Sequence, residues 1–248
     1  MTVVLLHGFT GGPASFAPLA LADAVAPPLL GHGAPPPWPE DFAGEVARIA
    51  AALPRGCHLV GYSMGARVAL GVLATHPGLV ARATLIGVRP GLPSERERAA
   101  RRARDARWID LLERDGIDAF VAAWEAQPMW ASQRGLPAAA RAAQRALRRS
   151  HDPHGLAAAL RALGLGAMPD YTPFLPAIDV PVHLVAGELD ATFARIARAM
   201  ARRMPNARVT IVPNCGHNPV LEAPAAVATV IQPRSSDDRD QLESRTGI

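Results

Sequence analysis

The sequence predicts an α/β domain: a mostly parallel, doubly wound sheet with a helical cap inserted between its strands. Three observations carry that expectation. First, Gly61-Tyr62-Ser63-Met64-Gly65 lies between a short apolar run at 57–60 and a helix-patterned stretch at 66–74. A glycine-flanked serine between strand and helix marks a sharp turn, which holds the hydroxyl clear of the sheet at the positive end of a helix. Second, the chain opens on a similar unit, in which Val3-Val4-Leu5-Leu6 runs into His7-Gly8-Phe9-Thr10-Gly11-Gly12. Third, strand–helix alternation stops near Val88 and resumes near Val182, and the interval is Arg-rich and helical in pattern.

The elements follow in order. Residues 3–6 are apolar throughout, as in a strand buried on both faces. A helix is expected over 13–23, with Pro13 at its start, and then a short strand at 24–27. Leu29-Leu30-Gly31-His32-Gly33 reads as a turn in which His32 is structural, and 34–39 as a stiff proline-rich loop. Asp41 begins a helix to about Leu53, with Phe42, Val46, Ile49 and Leu53 on one face. After the serine turn and its helix comes a strand at 81–87. The insertion should hold helices at 95–113, 118–124, 137–149 and 155–163. Strands at 182–187 and 207–212 then flank a helix at 193–204, and a helix at 223–231 closes the fold. The chain divides into a core (1–88 and 171–231), a cap (89–170) and a polar, disordered tail (232–248).

Composition sets the outer limits. A chain of 248 residues, 49% hydrophobic, suits one domain with an ample core. No apolar run reaches the length of a membrane span, and no basic leader precedes the first strand. The expectation is a cytoplasmic protein without a membrane partner. Cys57 and Cys215 lack the spacing of a disulfide framework or a zinc site, and no acid motif supports His151 and His154 as metal ligands. No metal or cofactor is expected. All 26 basic residues are Arg, and the net charge of +4 is uneven, since 89–149 holds 13 Arg against 8 acids. Such a local excess suits an anionic small molecule or a polyanion.

The chemistry-bearing residues fall at strand ends. Ser63, Asp190 and His217 occur in the order nucleophile, acid, histidine, each after an expected strand. The carboxyl ends of parallel strands share one edge of the sheet, so distant loops meet there. His217 would take the serine proton, and Asp190 would fix the imidazole tautomer. Glu188, on the same loop, is the rival acid. The backbone N–H groups of Phe9 and Met64 would stabilise a developing oxyanion. His7, His32, His58, His76 and His183 read as structural.

These residues resemble the α/β-hydrolase fold, and within it one subfamily: the 2-succinyl-6-hydroxy-2,4-cyclohexadiene-1-carboxylate synthases of menaquinone biosynthesis. The resemblance spans nearly all of 3–231. In the core it rests on His7-Gly8-Phe9, Gly61-Tyr62-Ser63-Met64-Gly65-Ala66-Arg67, Gly187-Glu188-Leu189-Asp190 and Gly216-His217-Asn218. The cap strings are more specific: Pro90-Gly91-Leu92, the Arg-rich run at 97–105 followed by Trp108, Phe120-Val121, Trp124-Glu125, Gln127-Pro128, and Arg148-Arg149-Ser150 before Gly155-Leu156-Ala157. The resemblance implies a lyase that eliminates pyruvate from 2-succinyl-5-enolpyruvyl-6-hydroxy-3-cyclohexene-1-carboxylate, a trianion. By the same resemblance Ser63 acts as base, Arg67, Arg101 and Arg149 hold carboxylates, and Tyr62 and Trp124 shape the pocket. The chain departs from the family in having Ala191-Thr192-Phe193 where a Lys is common, and Trp130 where Phe is common. The register leaves open whether Arg148 or Arg149 faces the substrate.

Two other readings fit part of the sequence. A carboxylic ester or carbon–carbon bond hydrolase acting on an anionic substrate would use the same three residues. A non-catalytic protein could bind a polyanion through the cap, but the cap lacks regularly spaced stacking aromatics. The expectation adopted is a monomeric lyase whose partner is a small-molecule polycarboxylate, with no nucleic acid.

Overall fold

The computed structural model describes residues 1–232. Five strands form one sheet: β1 (Val3–Leu6), β2 (Cys57–Tyr62), β3 (Val80–Ile86), β4 (Val182–Gly187) and β5 (Ala207–Val212). They lie in the order β1-β2-β3-β4-β5, and every neighbouring pair is parallel. The helices are α1 (Phe42–Ala52), α2 (Met64–Thr75), α3 (Glu95–Glu125), α4 (Ala138–Arg149), α5 (Pro153–Leu163), α6 (Ala191–Ala201), α7 (Pro219–Glu222) and α8 (Pro224–Ile231).

The period-two side-chain alternation of β1 divides the core. Val4 and Leu6 pack into the cluster formed with α1, α2 and α6, through residues such as Phe42, Leu70 and Met200. Val3 and Leu5 pack into the opposite cluster with Phe16, Val227 and Ile231. Both sheet faces are therefore covered, which explains why β1 reads as an unbroken apolar run. A third cluster, Leu112, Phe120, Val121, Leu156, Ala157 and Leu160, gives α3 and α5 their own small core. Among the described residues no helix is long and apolar enough to cross a membrane.

The N-terminal segment differs from expectation in two places. The helix expected over 13–23 is a 3-10 helix at Pro13–Leu19. Pro18 sits inside it and has no amide to donate, and Ala20 (φ 48°) and Asp23 (φ 58°) turn the chain away. The strand expected at 24–27 is a single parallel bridge between Val4 and Val25. Pro27 and Pro28 follow at once and cannot extend a ladder.

The insertion between β3 and β4 holds no strand. The helices expected at 95–113 and 118–124 are one run, α3, broken at Gly116 by a non-helical backbone (φ 79°, ψ −175°). Ser94 and Glu97 cap its start reciprocally: the Glu97 N–H donates to Ser94 Oγ, and the Ser94 N–H donates to Glu97 Oε2, each at 3.2 Å. A 3-10 segment at Pro128–Gly135 was not expected. Asp152 caps α5 through the N–H of Gly155 at 2.9 Å. At the end of the fold α7 precedes the expected last helix. The tail expected over 232–248 falls, from 233 onward, outside the described residues.

Candidate active site

Ser63 joins β2 to α2 with φ 50° and ψ −106°, a left-handed conformation that side-chain-bearing residues rarely adopt. The two glycines make the turn possible. A Cβ on Gly61 would lie 2.5 Å from Ala66 Cα, and one on Gly65 would lie 2.1 Å from the Leu6 carbonyl oxygen. β1, β2 and α2 therefore pack backbone to backbone at this point.

Ser63 Oγ lies 3.1 Å from His217 Nε2, and His217 Nδ1 lies 2.6 Å from Asp190 Oδ2. With Nδ1–H donating to the carboxylate, Nε2 is free to accept the serine proton. Asp190 also caps α6, accepting the Phe193 N–H at 3.3 Å. Glu188, the rival acid, turns elsewhere: its Oε2 accepts the Asn214 N–H at 3.0 Å. The acid and histidine loops are joined where the Leu189 N–H donates to the Cys215 carbonyl at 2.9 Å. Around the His217 imidazole stand the rings of Phe193, Tyr62 and Trp130, with centroids 4.6, 5.8 and 5.9 Å away.

The glycine-rich loop after β1 is held by two buried histidines. His7 Nε2 accepts the Leu29 N–H, and His32 Nε2 accepts the Thr10 N–H, each at 3.1 Å. Both must be neutral to accept. Burial pushes His7 down to about 4 and His32 well below its ordinary value. Phe9 and Met64 line the same cavity as Ser63, and neither backbone N–H has a hydrogen-bond acceptor among the described residues. The Phe9 ring reaches into the cap, edge-on to Trp124 at 5.3 Å and to Phe120 at 6.0 Å.

The cavity measures about 400 Å³ and lies between the carboxyl edge of the sheet and the cap. Ser63 and His217 line it together with Tyr62, Trp124 and four arginines: Arg67, Arg89, Arg101 and Arg104. Arg101 Nε donates to both oxygens of the buried Asp105, at 2.9 and 3.0 Å. Arg67 donates to the Leu163 carbonyl at 2.8 Å. Burial and the neighbouring Arg101 charge push its guanidinium down to about 9. Arg89 is lowered for the same two reasons. The cavity thus crowds positive charge and favours an anion. The buried indole N–H groups of Trp124 and Trp130 lack acceptors among the described residues.

One expected substrate contact is corrected. Arg149 does not line the cavity; it is exposed on α4 and its Nε donates to Asp118 Oδ1 at 2.6 Å. Its neighbour Arg148 points inward, because successive helical residues differ by about 100° in direction. Arg148 is 4% exposed, pairs with Glu125 at 2.9 Å and lies 5.2 Å over the Trp130 ring, behind the cavity wall. Sequence reasoning also passed over Arg89 and Arg104. Arg89 follows β3 at the same sheet edge as Ser63, and Arg101, Arg104 and Trp108 recur at helical spacing on α3. Either pattern could have flagged them.

A serine, a histidine and a carboxylate linked in series at the carboxyl edge of a parallel sheet, beneath a helical roof, define an α/β-hydrolase architecture. Residues 3–230 match the alpha/beta hydrolase family model. Over 235 residues the chain is 35% identical to the 2-succinyl-6-hydroxy-2,4-cyclohexadiene-1-carboxylate synthase of Klebsiella pneumoniae strain MGH 78578, covering 91% of this chain and 90% of that one. A second K. pneumoniae synthase, from strain 342, is 36% identical with the same coverage. Among solved structures, MenH from S. aureus superposes with a TM-score of 0.88 at 31% identity, covering 93% of this chain and 91% of that one. A thermophilic esterase from Thermogutta terrifontis, with malate bound, gives 0.78 at 26% identity, covering 98% and 90%. The chain belongs to the α/β hydrolases and, within them, to the family of 2-succinyl-6-hydroxy-2,4-cyclohexadiene-1-carboxylate synthases.

Proposed function

We propose that the protein performs the reaction its synthase relatives are named for, with Ser63 as the base. The substrate is 2-succinyl-5-enolpyruvyl-6-hydroxy-3-cyclohexene-1-carboxylate, and pyruvate is eliminated. The observation that carries this reading is the sharing of one 400 Å³ cavity by the Ser63–His217 pair and by Arg67, Arg89, Arg101 and Arg104. A neutral ester needs no such cluster. A substrate with three carboxylates does, because guanidinium groups bind carboxylates strongly and in fixed geometry.

The names of substrate and product define the bond changes. The ring C2–H bond and the C5–O bond break, and the 3-ene becomes a 2,4-diene. Ser63 Oγ, its own proton drawn toward His217 Nε2, removes the C2 proton. Negative charge then develops on the succinyl carbonyl oxygen, toward which the Phe9 and Met64 N–H groups donate. The double bond shifts, the enolpyruvyl oxygen leaves with the electron pair, and the enolpyruvate takes up one proton at its methylene carbon to become pyruvate, which balances the proton that the Ser63–His217 pair gives up as it resets. Asp190 keeps Nδ1 protonated and stabilises the charged imidazole. Arg67 and Arg101 hold carboxylates, with Tyr62 and Trp124 as walls. Residues 89–170 serve as the cap, and the protein works as a cytoplasmic monomer on this small molecule, with no nucleic acid partner.

The esterase likeness favours one second reading, hydrolysis of an anionic ester by the same three residues. A single assay separates the two. Substrate made fresh by the preceding enzymes of the pathway is followed for pyruvate release and diene absorbance together. Elimination well above the spontaneous rate, lost by 100-fold or more in Ser63→Ala, is the expected result, within the roughly 10²–10⁴ range of general-base catalysis. Elimination at the spontaneous rate, with turnover of p-nitrophenyl esters, would favour the hydrolase.

A further inference from the structure

We infer that Glu222 is a positioning residue for His217 and that the cap reaches the catalytic histidine through it. The inference rests on the reading of Ser63 and His217 as the proton-transfer pair. His217 lies on a short loop between β5 and α7, and the peptide groups on both sides of it donate to one carboxylate. The Gly216 N–H meets Glu222 Oε2 at 2.6 Å, and the Asn218 N–H meets Oε1 at 3.1 Å. Glu222 is itself fixed at the end of the single turn of α7, where its N–H donates to the Asn218 carbonyl at 2.9 Å. The loop is thus closed on itself, with the imidazole at its apex.

A carboxylate suits this place. It offers two acceptor oxygens and no donor, so both N–H groups are satisfied at once. Glutamine could satisfy one of them but would present its NH₂ to the other. Alanine would leave both buried loop amides unpaired, and the loop would relax. Displacement of the imidazole by about 1 Å is enough to cost about 100-fold in rate, because proton transfer depends on the 3.1 Å Ser63–His217 contact.

The same carboxylate meets the cap. Gln133, buried in the 3-10 segment at Pro128–Gly135, points its Nε2 at Glu222 Oε1 at 3.4 Å. Beside it, Ser132 packs against Gly216 so closely that a Cβ there would lie 2.1 Å from Ser132 Oγ. Trp130 of the same segment touches the His217 ring. This stretch of cap is therefore seated on the histidine loop, and Glu222 is the polar link between them.

The experiment uses the full chain and the variants Glu222→Gln, Glu222→Ala, Gln133→Ala and the double variant Gln133→Ala with Glu222→Ala. Two readouts are taken. The first is steady-state elimination, or p-nitrophenyl ester hydrolysis if the wild type does not eliminate. The second needs no substrate: the strongly downfield proton NMR signal of the His217–Asp190 hydrogen bond. For Glu222→Ala the expected result is a kcat lower by about 10–100-fold with KM within about threefold, together with broadening or loss of the downfield signal. Glu222→Gln should lie between it and wild type, and the double variant should be no slower than Glu222→Ala. A folded Glu222→Ala with wild-type kcat would overturn the inference. So would a fall in kcat with the downfield signal unchanged. If Glu222→Ala does not fold, Glu222→Gln decides: an unaltered kcat and an unaltered signal would overturn the assignment. Failure of the wild type on the cyclohexene substrate would count against the proposed reaction alone, since the NMR arm stands without it.

Discussion

Arg101 donates from Nε to both carboxylate oxygens of Asp105, one helical turn further along α3. Asp105 is buried and Arg101 only partly so. The acid therefore aims the base: with Nε held, the two terminal nitrogens of the guanidinium remain available to the cavity. Reversal of charge, Arg101→Glu, should raise KM for the trianionic substrate by roughly 100-fold or more, since a charge-assisted hydrogen bond is lost and a repulsion is added. Asp105→Asn should raise KM by about 3–10-fold, because the guanidinium stays but loses its anchor. Steady-state kinetics on the two variants checks the ranking; an unchanged KM in Arg101→Glu would remove Arg101 from the carboxylate sites.

Arg148 and Arg149 are adjacent in sequence and should behave oppositely. Arg149→Ala removes an exposed pair with Asp118, and such pairs contribute little in water. Activity within twofold of wild type is expected. Arg148→Ala removes a buried partner of Glu125 and the cation over Trp130, beside His217. Arg145 also pairs with Glu125, so the loss is partly shared. A destabilisation of about 1–3 kcal/mol is expected in urea unfolding, with a lowered kcat as Trp130 shifts.

Gly65→Ala tests the packing of the serine turn. The added methyl would meet the Leu6 carbonyl oxygen at 2.1 Å, which neither backbone can accommodate in place. Unfolding free energy should fall by about 3 kcal/mol or more. A variant of near wild-type stability would mean that β1 and α2 are not in contact as described.

Stability should also depend on pH through buried histidines. His7 and His58 are both held down at about 4, mainly by burial, against an ordinary value near 6.5. Above about pH 6.5 they are neutral folded and unfolded, and their contribution is constant. Between about 6.5 and 4 the unfolded chain binds protons that the folded chain does not, so stability falls as the pH falls. His7 should remove on the order of 3 kcal/mol by pH 4, and His58 acts in the same direction. Urea midpoints from pH 8 to pH 4.5 check this, and His58→Asn should flatten the decline.

Much of the site was legible because it depends on chain order. Ser63, Asp190 and His217 follow apolar runs, and parallel strands bring such ends to one edge whatever the details of packing. The insertion was legible as an interruption of a regular alternation. Helix phase was not, and this is why the sequence left open which of Arg148 and Arg149 points inward. One residue of register turns a side chain by about 100°, and in α4 the buried Arg148 lies in the same stripe as the exposed Arg141 and Arg145, so the polar pattern reads as a solvent face. Proline accounts for the misjudged start of the chain, since Pro18, Pro27 and Pro28 withhold the amides that an α-helix and a strand would have required. The meeting of Gln133 with Glu222 was invisible for a different reason, because it is a contact between two segments 89 residues apart.

Phe9 lines the cavity beside Ser63, and its ring packs against the cap cluster, edge-on to Phe120 and Trp124. One residue therefore ties the glycine-rich loop after β1, the proposed source of an oxyanion donor, to the seating of the cap. The loop beside Ser63 and the arginine-lined roof are thus parts of one packed unit, so the contacts that seat the cap also set the distance between the reacting centre and the charges that would hold a carboxylate.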